Sequence, residues 1–236
     1  MWDATASVLA RDGYRVIALD QRGSGESDRA PSYSLDLFVE DLAAFIAGLG
    51  IEPFALVGLS VGGRVAYRYA SRPDARVRRL VIVDTGPVYE RSGVARVLAR
   101  RTGPEVFKDP AEAVHRQAAA QPRWAARDAA GLVELVRYNL LETPEGGWTW
   151  RYDPKVHAEH LVRAAEADGW AALARVRCPT LVVRGQQSDL LGHETAERMA
   201  RELPSGVLVE VPGAGHLIPL EEPDAFVAVL RRFLTS

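Results

Sequence analysis

A serine flanked by small residues, Gly58-Leu59-Ser60-Val61-Gly62-Gly63, stands directly after the apolar run Phe54-Ala55-Leu56-Val57 and before the helix-like stretch Arg64-Val65-Ala66-Tyr67-Arg68-Tyr69-Ala70. At a sharp strand-to-helix turn a serine hydroxyl is lifted above the end of a sheet. The free N–H groups of the helix N-terminus then point at any oxyanion that forms beside it. The turn strains the serine backbone, so the positions two before and two after need residues without bulk, and Gly58 and Gly62 meet that need. Gly-x-Ser-x-Gly alone arises often by chance, and a plain turn serine is the rival reading. The strand before and the helix after make this instance specific.

A serine hydroxyl is a weak nucleophile until a base removes its proton, so a histidine and an acid must follow. Thr180-Leu181-Val182-Val183-Arg184-Gly185 reads as a buried strand, and Asp189 follows in the loop Gln186-Gln187-Ser188-Asp189. A second strand, Val207 to Val211, runs into Pro212-Gly213-Ala214-Gly215-His216. The order Ser60, Asp189, His216 places each group just past the C-terminal end of a predicted strand, where open α/β sheets gather their sites. Asp84 also ends a strand and is the competing acid; with Thr85 and Gly86 it reads as the residue holding the next turn, and the better loop context assigns the acid to Asp189. His216 in isolation would be a surface histidine. Its Gly-x-Gly-His setting after a strand changes that.

These groups need a scaffold, and the pattern supplies one. Tyr14 to Leu19 reads as a strand after the Gly13 stop, Leu35, Phe38, Leu42, Phe45, Ile46 and Leu49 recur at helical spacing before Gly50, and Arg79 to Val83 is the next strand. Strands alternating with helices of this length predict crossover units and a mostly parallel sheet, an α/β fold. Between Gly86 and about Asp168 apolar strand runs give way to short Ala- and Arg-rich helical segments broken by Pro104, Pro110, Pro122 and Pro144. The predicted organisation is therefore core 1–85, helical insertion 86–168 and core 169–236, with Glu145-Gly146-Gly147 a turn inside the insertion.

The chain resembles the α/β-hydrolase superfamily, in its capped, serine-nucleophile branch. Asp20-Gln21-Arg22-Gly23-Ser24-Gly25-Glu26-Ser27 matches the family's D-x-R-G-x-G-x-S loop, and the likeness continues past His216 into Pro219-Leu220-Glu221-Glu222-Pro223 and a closing helix from Asp224 to Leu234. The resemblance implies esterase-like acyl chemistry on Ser60, His216 and Asp189, with the backbone N–H of Val61 in the oxyanion hole and no cofactor. A serine rather than an aspartate nucleophile points to esters, lactones, thioesters or activated carbon–carbon bonds. A carbon–carbon bond hydrolase, a cofactor-free perhydrolase and a non-catalytic binder of small ligands are the alternatives. Relatives carry three strands and a His-Gly loop ahead of the helix that here runs from Trp2 to Arg11, and that loop gives the second oxyanion donor. The expectation is that Met1 is an internal methionine of a longer, N-terminally truncated chain, and that Tyr14–Leu19 and Phe54–Val57 present unpaired edges.

Composition narrows the partners. A length of 236 residues can bury a full core, and a quarter of charged residues with a net charge of −2 speaks against a nucleic-acid surface. No apolar run nears the ~18 residues of a membrane span and Met1-Trp2-Asp3-Ala4 lacks the start of a signal peptide, so the expected partner is a small-molecule substrate, with no nucleic acid or membrane, in a cytoplasmic location. Cys178, the single cysteine, reads as a small buried filler. His115, His157, His160 and His193 lack a cysteine or carboxylate cluster, so they read as solvated helix faces, and no metal is called for. The glycines around Arg22 fit neither a dinucleotide fingerprint nor a P-loop and read as a structural turn. Trp124, Trp148, Trp150 and Tyr152 lie in the insertion, as packing aromatics or as a grip for an apolar substrate.

Overall fold

A computed structural model describes residues 1–51, 53–99, 105–120, 133, 136–156 and 166–235. In chain order the elements are α1 (Asp3–Arg11), α2 (Leu35–Leu49), β1 (Phe54–Leu59), α3 (Val61–Ala70), β2 (Val77–Val83), α4 (Arg91–Ala99), β3 (Val106–Phe107), α5 (Pro110–Ala120), β4 (Leu140–Glu142) and β5 (Trp148–Trp150). There follow α6 (Glu166–Arg175), β6 (Thr180–Gly185), α7 (His193–Glu202), β7 (Gly206–Val211), α8 (Ile218–Glu221) and α9 (Pro223–Thr235). They form two compact units, one of Met1–Leu19, Ser34–Ala95 and His160–Ser236, the other of Asp20–Tyr33 and Arg96–Glu159. The bounds differ from the sequence division in that the Asp20–Tyr33 loop joins the insertion's unit, while 86–95 and 160–168 join the first.

The first unit is built on a parallel sheet in the order β1-β2-β6-β7. Strand residues point alternately to opposite faces, and here both faces are covered. Leu80, Ile82 and Val182 pack with Ala66, Tyr67, Leu173, Leu191 and Met199 on one side. Val81, Val83, Leu181 and Val183 pack with Leu9, Phe226 and Leu230 on the other. Burial of each such aliphatic side chain contributes about 1.5–3 kcal/mol, which makes this sheet a rigid base for the loops at its ends. Helix α2 starts where the Ser34 side chain accepts the Leu37 N–H at 3.4 Å and stops at Gly50, whose φ of 60° suits a residue without a Cβ.

One strand expected from the sequence is not formed. Tyr14–Leu19 joins no ladder, and Tyr14, Val16 and Ile17 are exposed. The apolar run is there, but a strand exists only with a partner, and among the described residues β1 pairs with β2 alone.

The second unit is not wholly helical. β3, β5 and β4 form a small antiparallel sheet, and Glu145-Gly146-Gly147 turns the β4–β5 hairpin with Gly146 at φ 86°. Strands of two and three residues are too short to show a period in sequence. Trp150 meets Phe107 edge-on at 5.2 Å, stacks on Tyr152 at 5.7 Å and hydrogen-bonds Glu105, so two of the aromatic residues singled out above pack this unit's own core. Trp124, Pro104, Pro122, His157 and His160 lie outside the described residues. The Asp20–Ser27 turn closes on itself, with Asp20 Oδ2 accepting the Glu26 N–H at 3.1 Å and Gly25 so close that a Cβ there would stand 2.0 Å from the same oxygen. No helix among the described residues is long and apolar enough to cross a membrane.

Candidate active site

Ser60 sits between β1 and α3 with φ 54° and ψ −122°, a backbone region that side-chain-bearing residues avoid. Its N–H donates to the Val83 carbonyl at 3.1 Å, and its own carbonyl accepts from Gly63 and Arg64, the first bonds of α3. Gly58 is needed as expected, since a Cβ there would lie 2.3 Å from the Gly62 carbonyl oxygen. The second required glycine is Gly63, not Gly62. A Cβ on Gly63 would lie 2.4 Å from the Thr85 methyl group, whereas one on Gly62 meets nothing within 4 Å. The helix is pressed onto the sheet at the third residue after the serine, so that is where bulk is excluded. Val61, the first residue of α3, is buried, and its N–H is one of the helix-start groups without an intrahelical acceptor.

The sheet brings the other groups alongside. Leu59 pairs with Val83, Val83 with Val183, and Gly185 with Val211, so the chain leaves four adjacent strand ends at Ser60, Asp84, Gln186 and Pro212. His216 arrives on the last of these loops. A Cβ on Gly185 would lie 2.0 Å from the Gly215 carbonyl oxygen, so this strand end must be glycine for the loop to settle on it. Glu221, buried in α8, accepts the N–H of Gly215 at 2.6 Å and of Leu217 at 3.1 Å, holding the backbone on both sides of His216.

The carboxylate beside His216 is that of Asp84, where the sequence reading expects Asp189. His216 Nδ1 lies 2.8 Å from Asp84 Oδ2; the carboxylate can only accept, so Nδ1 carries the proton. Asp84 is fully buried and takes two further hydrogen bonds, from the Gly185 N–H to Oδ1 at 3.0 Å and from the Ser188 hydroxyl to Oδ2 at 2.6 Å. Ser188 is itself fixed by the N–H groups of Leu190 and Leu191, each at 3.1 Å from its oxygen. Asp189, one residue on, has its carbonyl packed against Gly93 of α4, where a Cβ would come within 2.2 Å. Both acids follow neighbouring strands, and it is the Asp84 carboxylate that meets the imidazole.

One observation separates the two without reference to the histidine. Ser60 and Asp84, with φ 54° and 47°, are the non-glycine residues at positive φ among the described residues. Such backbone strain costs about 1–3 kcal/mol and gathers at functional sites. Ser188, Gly185, Gly63 and Glu221 were not singled out by sequence reasoning, because each acts through a partner distant along the chain.

Among the described residues no three His, Cys, Asp or Glu side chains cluster as a metal site would require. His193 is exposed and pairs with Glu210, which raises its pKa through a hydrogen bond and charge attraction. Burial pushes the Cys178 thiol up, away from reactive thiolate character.

A family model described as alpha/beta hydrolase family matches residues 1–229. The chain is 32% identical to a 3-hydroxybutyrate-oligomer hydrolase of Cupriavidus necator, covering 100% of this chain and 84% of that protein. It is 27% identical to a bifunctional esterase/perhydrolase of Acinetobacter calcoaceticus, covering 100% of this chain and 87% of the other. Among solved structures, E-2-(acetamidomethylene)succinate hydrolase superposes with a TM-score of 0.86 at 26% identity, over 99% of this chain and 87% of that one.

Proposed function

This chain belongs to the alpha/beta hydrolase family and is an enzyme of that kind, and we propose that it cleaves a small carboxylic ester, lactone or related acyl compound through Ser60, His216 and Asp84. The reading rests above all on the hydrogen bond of 2.8 Å from His216 Nδ1 to the buried Asp84, at the sheet end where Ser60 sits in its strained turn.

With Nδ1–H given to Asp84, His216 keeps Nε2 free to accept a proton. Nε2 takes the Ser60 proton as Oγ attacks the acyl carbon, and Asp84 stabilises the imidazolium without being protonated. The carbonyl oxygen becomes an oxyanion held by the Val61 N–H and the positive end of α3. The imidazolium then gives its proton to the leaving alcohol, and the C–O bond to that alcohol breaks. Water, deprotonated by Nε2, attacks the acyl-enzyme and releases the acid and free Ser60. The bifunctional relative supports a second acceptor, hydrogen peroxide in place of water on the same acyl-enzyme.

A fluorophosphonate probe tests the reading directly. Ser60 is expected to carry the label in peptide mapping, and Ser60→Ala, which removes the nucleophile but little volume, to lose ester hydrolysis by ~10⁶-fold with an unchanged melting temperature. Ester hydrolysis that persists in a folded Ser60→Ala variant excludes the mechanism.

A further inference from the structure

Strand β6 is buried along its whole length, and it carries one charged side chain, Arg184, 8% exposed. The guanidinium is gathered into the loop that follows the strand. Nε donates to the Leu191 carbonyl at 2.8 Å, Nη1 to the Gln186 carbonyl at 3.2 Å, and Nη2 reaches the Ser188 carbonyl at 3.5 Å. Nη1 also meets Glu210 at 2.5 Å, directly across on β7, and His193 Nδ1 lies 3.0 Å from the same carboxylate oxygen. The N–H groups of the loop are engaged elsewhere: Gln186 donates to Val211, Gln187 to Ala214 and Ser188 to Gly185.

A charge buried at a strand end is costly even when paired, and an apolar side chain of similar volume would often serve stability as well or better. What the apolar side chain would lack is donors. A guanidinium holds five N–H groups in one fixed plane, and here they reach three carbonyls of a single loop at once. That loop is the one whose Ser188 hydroxyl donates at 2.6 Å to Asp84 Oδ2, the oxygen that His216 Nδ1 also meets at 2.8 Å. The Ser188 oxygen accepts the N–H groups of Leu190 and Leu191, which leaves its own proton for Asp84. Arg184 takes the loop's carbonyls, and Asp84 takes its hydroxyl.

We propose that Arg184 is a positioning residue for the acid: by fixing the carbonyls of Gln186, Ser188 and Leu191 it holds the Ser188 hydroxyl on Asp84, and through Asp84 it fixes the orientation of the His216 ring. This rests on the hydrolase reading for its effect on turnover, though not for the hydrogen-bonded chain from Arg184 to His216. Loss of the guanidinium releases the loop, and a displacement of about 1 Å at a catalytic group costs up to ~100-fold in rate. Because the effect passes through the hydroxyl, Arg184 and Ser188 act as one unit, and their losses overlap rather than multiply.

The test is a double-mutant cycle on Arg184→Met, Ser188→Ala and the pair, with a p-nitrophenyl ester varied from below KM to saturation. Each single variant is expected to lower kcat by ~10- to 100-fold with KM within about twofold of the wild type, and the double variant to lose no more than the worse of the two. Losses that multiply in the double variant, or a folded Arg184→Met with kcat intact, overturn the proposal. Should Arg184→Met fail to fold, Arg184→Lys takes its place in the cycle: it keeps the charge opposite Glu210 but not the planar set of donors, and a normal kcat there overturns the proposal equally. The far-downfield proton resonance of His216 Nδ1–H gives a readout independent of turnover. It is expected at one altered position in the Arg184 variant, in Ser188→Ala and in the double variant; an unmoved resonance in a folded Arg184 variant overturns the proposal. If the fluorophosphonate fails to label Ser60 and no ester is cleaved, the hydrolase reading falls, and the resonance still decides the role of Arg184.

Discussion

Replacing Asp84 by asparagine removes one charge and almost no volume, and the structure shows why no orientation of the amide can substitute. The carboxylate accepts from Gly185 N–H, Ser188 Oγ and His216 Nδ1. If the amide oxygen keeps the Gly185 contact, the NH2 group faces His216 and donates to Nδ1. The ring proton then moves to Nε2, the tautomer that cannot take a proton from Ser60. If the amide is turned over, its NH2 meets the Gly185 N–H, donor against donor, in a fully buried place, which costs about 1–3 kcal/mol. The expected result is a folded protein with a modestly lower melting temperature and a turnover reduced by ~10,000-fold at saturating substrate. Asp189→Asn, which leaves the hydrogen bond between Asp84 and His216 in place, should change turnover by no more than a few-fold. The assay is release of p-nitrophenol from a short-chain ester under saturating conditions, with fluorophosphonate labelling of Ser60 as a second readout. A nearly normal Asp84→Asn beside a crippled Asp189→Asn refutes the argument.

Two further outcomes follow from the packing. Gly63→Ala would push a methyl group into Thr85 and the Gly58 carbonyl, so thermal unfolding should show a loss of about 1–3 kcal/mol, whereas Gly62→Ala, in open space, should be neutral or stabilising. Glu221→Gln keeps one acceptor but turns a donor toward the other N–H beside His216; a displacement of the loop by an ångström should lower kcat by up to ~100-fold with little effect on KM. A drop in melting temperature with kcat intact would reduce Glu221 to a purely structural role.

What the sequence could disclose depended on how far apart the interacting parts lie. Ser60 was legible because strand, small residues and helix all fall within a short stretch. The strands and closing helix of the parallel sheet were legible for the same reason. The acid was not. Val83 and Val183 are paired neighbours, so Asp84 and Asp189 both emerge at the same end of the sheet, and position after a strand cannot choose between them. The choice is made by the donors of Gly185 and Ser188, about a hundred residues away in sequence. The Tyr14–Leu19 run shows the same limit: its pattern is local, its pairing is not. Likewise the need for glycine at 63 rather than 62 depends on Thr85, which no pattern around the serine can reveal.

The strain at the site is also shared. The N–H of Ser60 donates to the carbonyl of Val83, the residue that precedes Asp84, so the two positive-φ residues are tied through a single peptide unit at the end of β2. Each costs about 1–3 kcal/mol, while Leu80, Val81, Ile82 and Val83 are all fully buried and contribute about 1.5–3 kcal/mol apiece to keeping that strand in place. The strand therefore holds both residues in conformations they would leave if free. Ser60 and Asp84 are fixed to one rigid edge, and in the proposed mechanism His216, on a loop clamped by Glu221 and seated on Gly185, is the group that carries the proton between Ser60 and the leaving group.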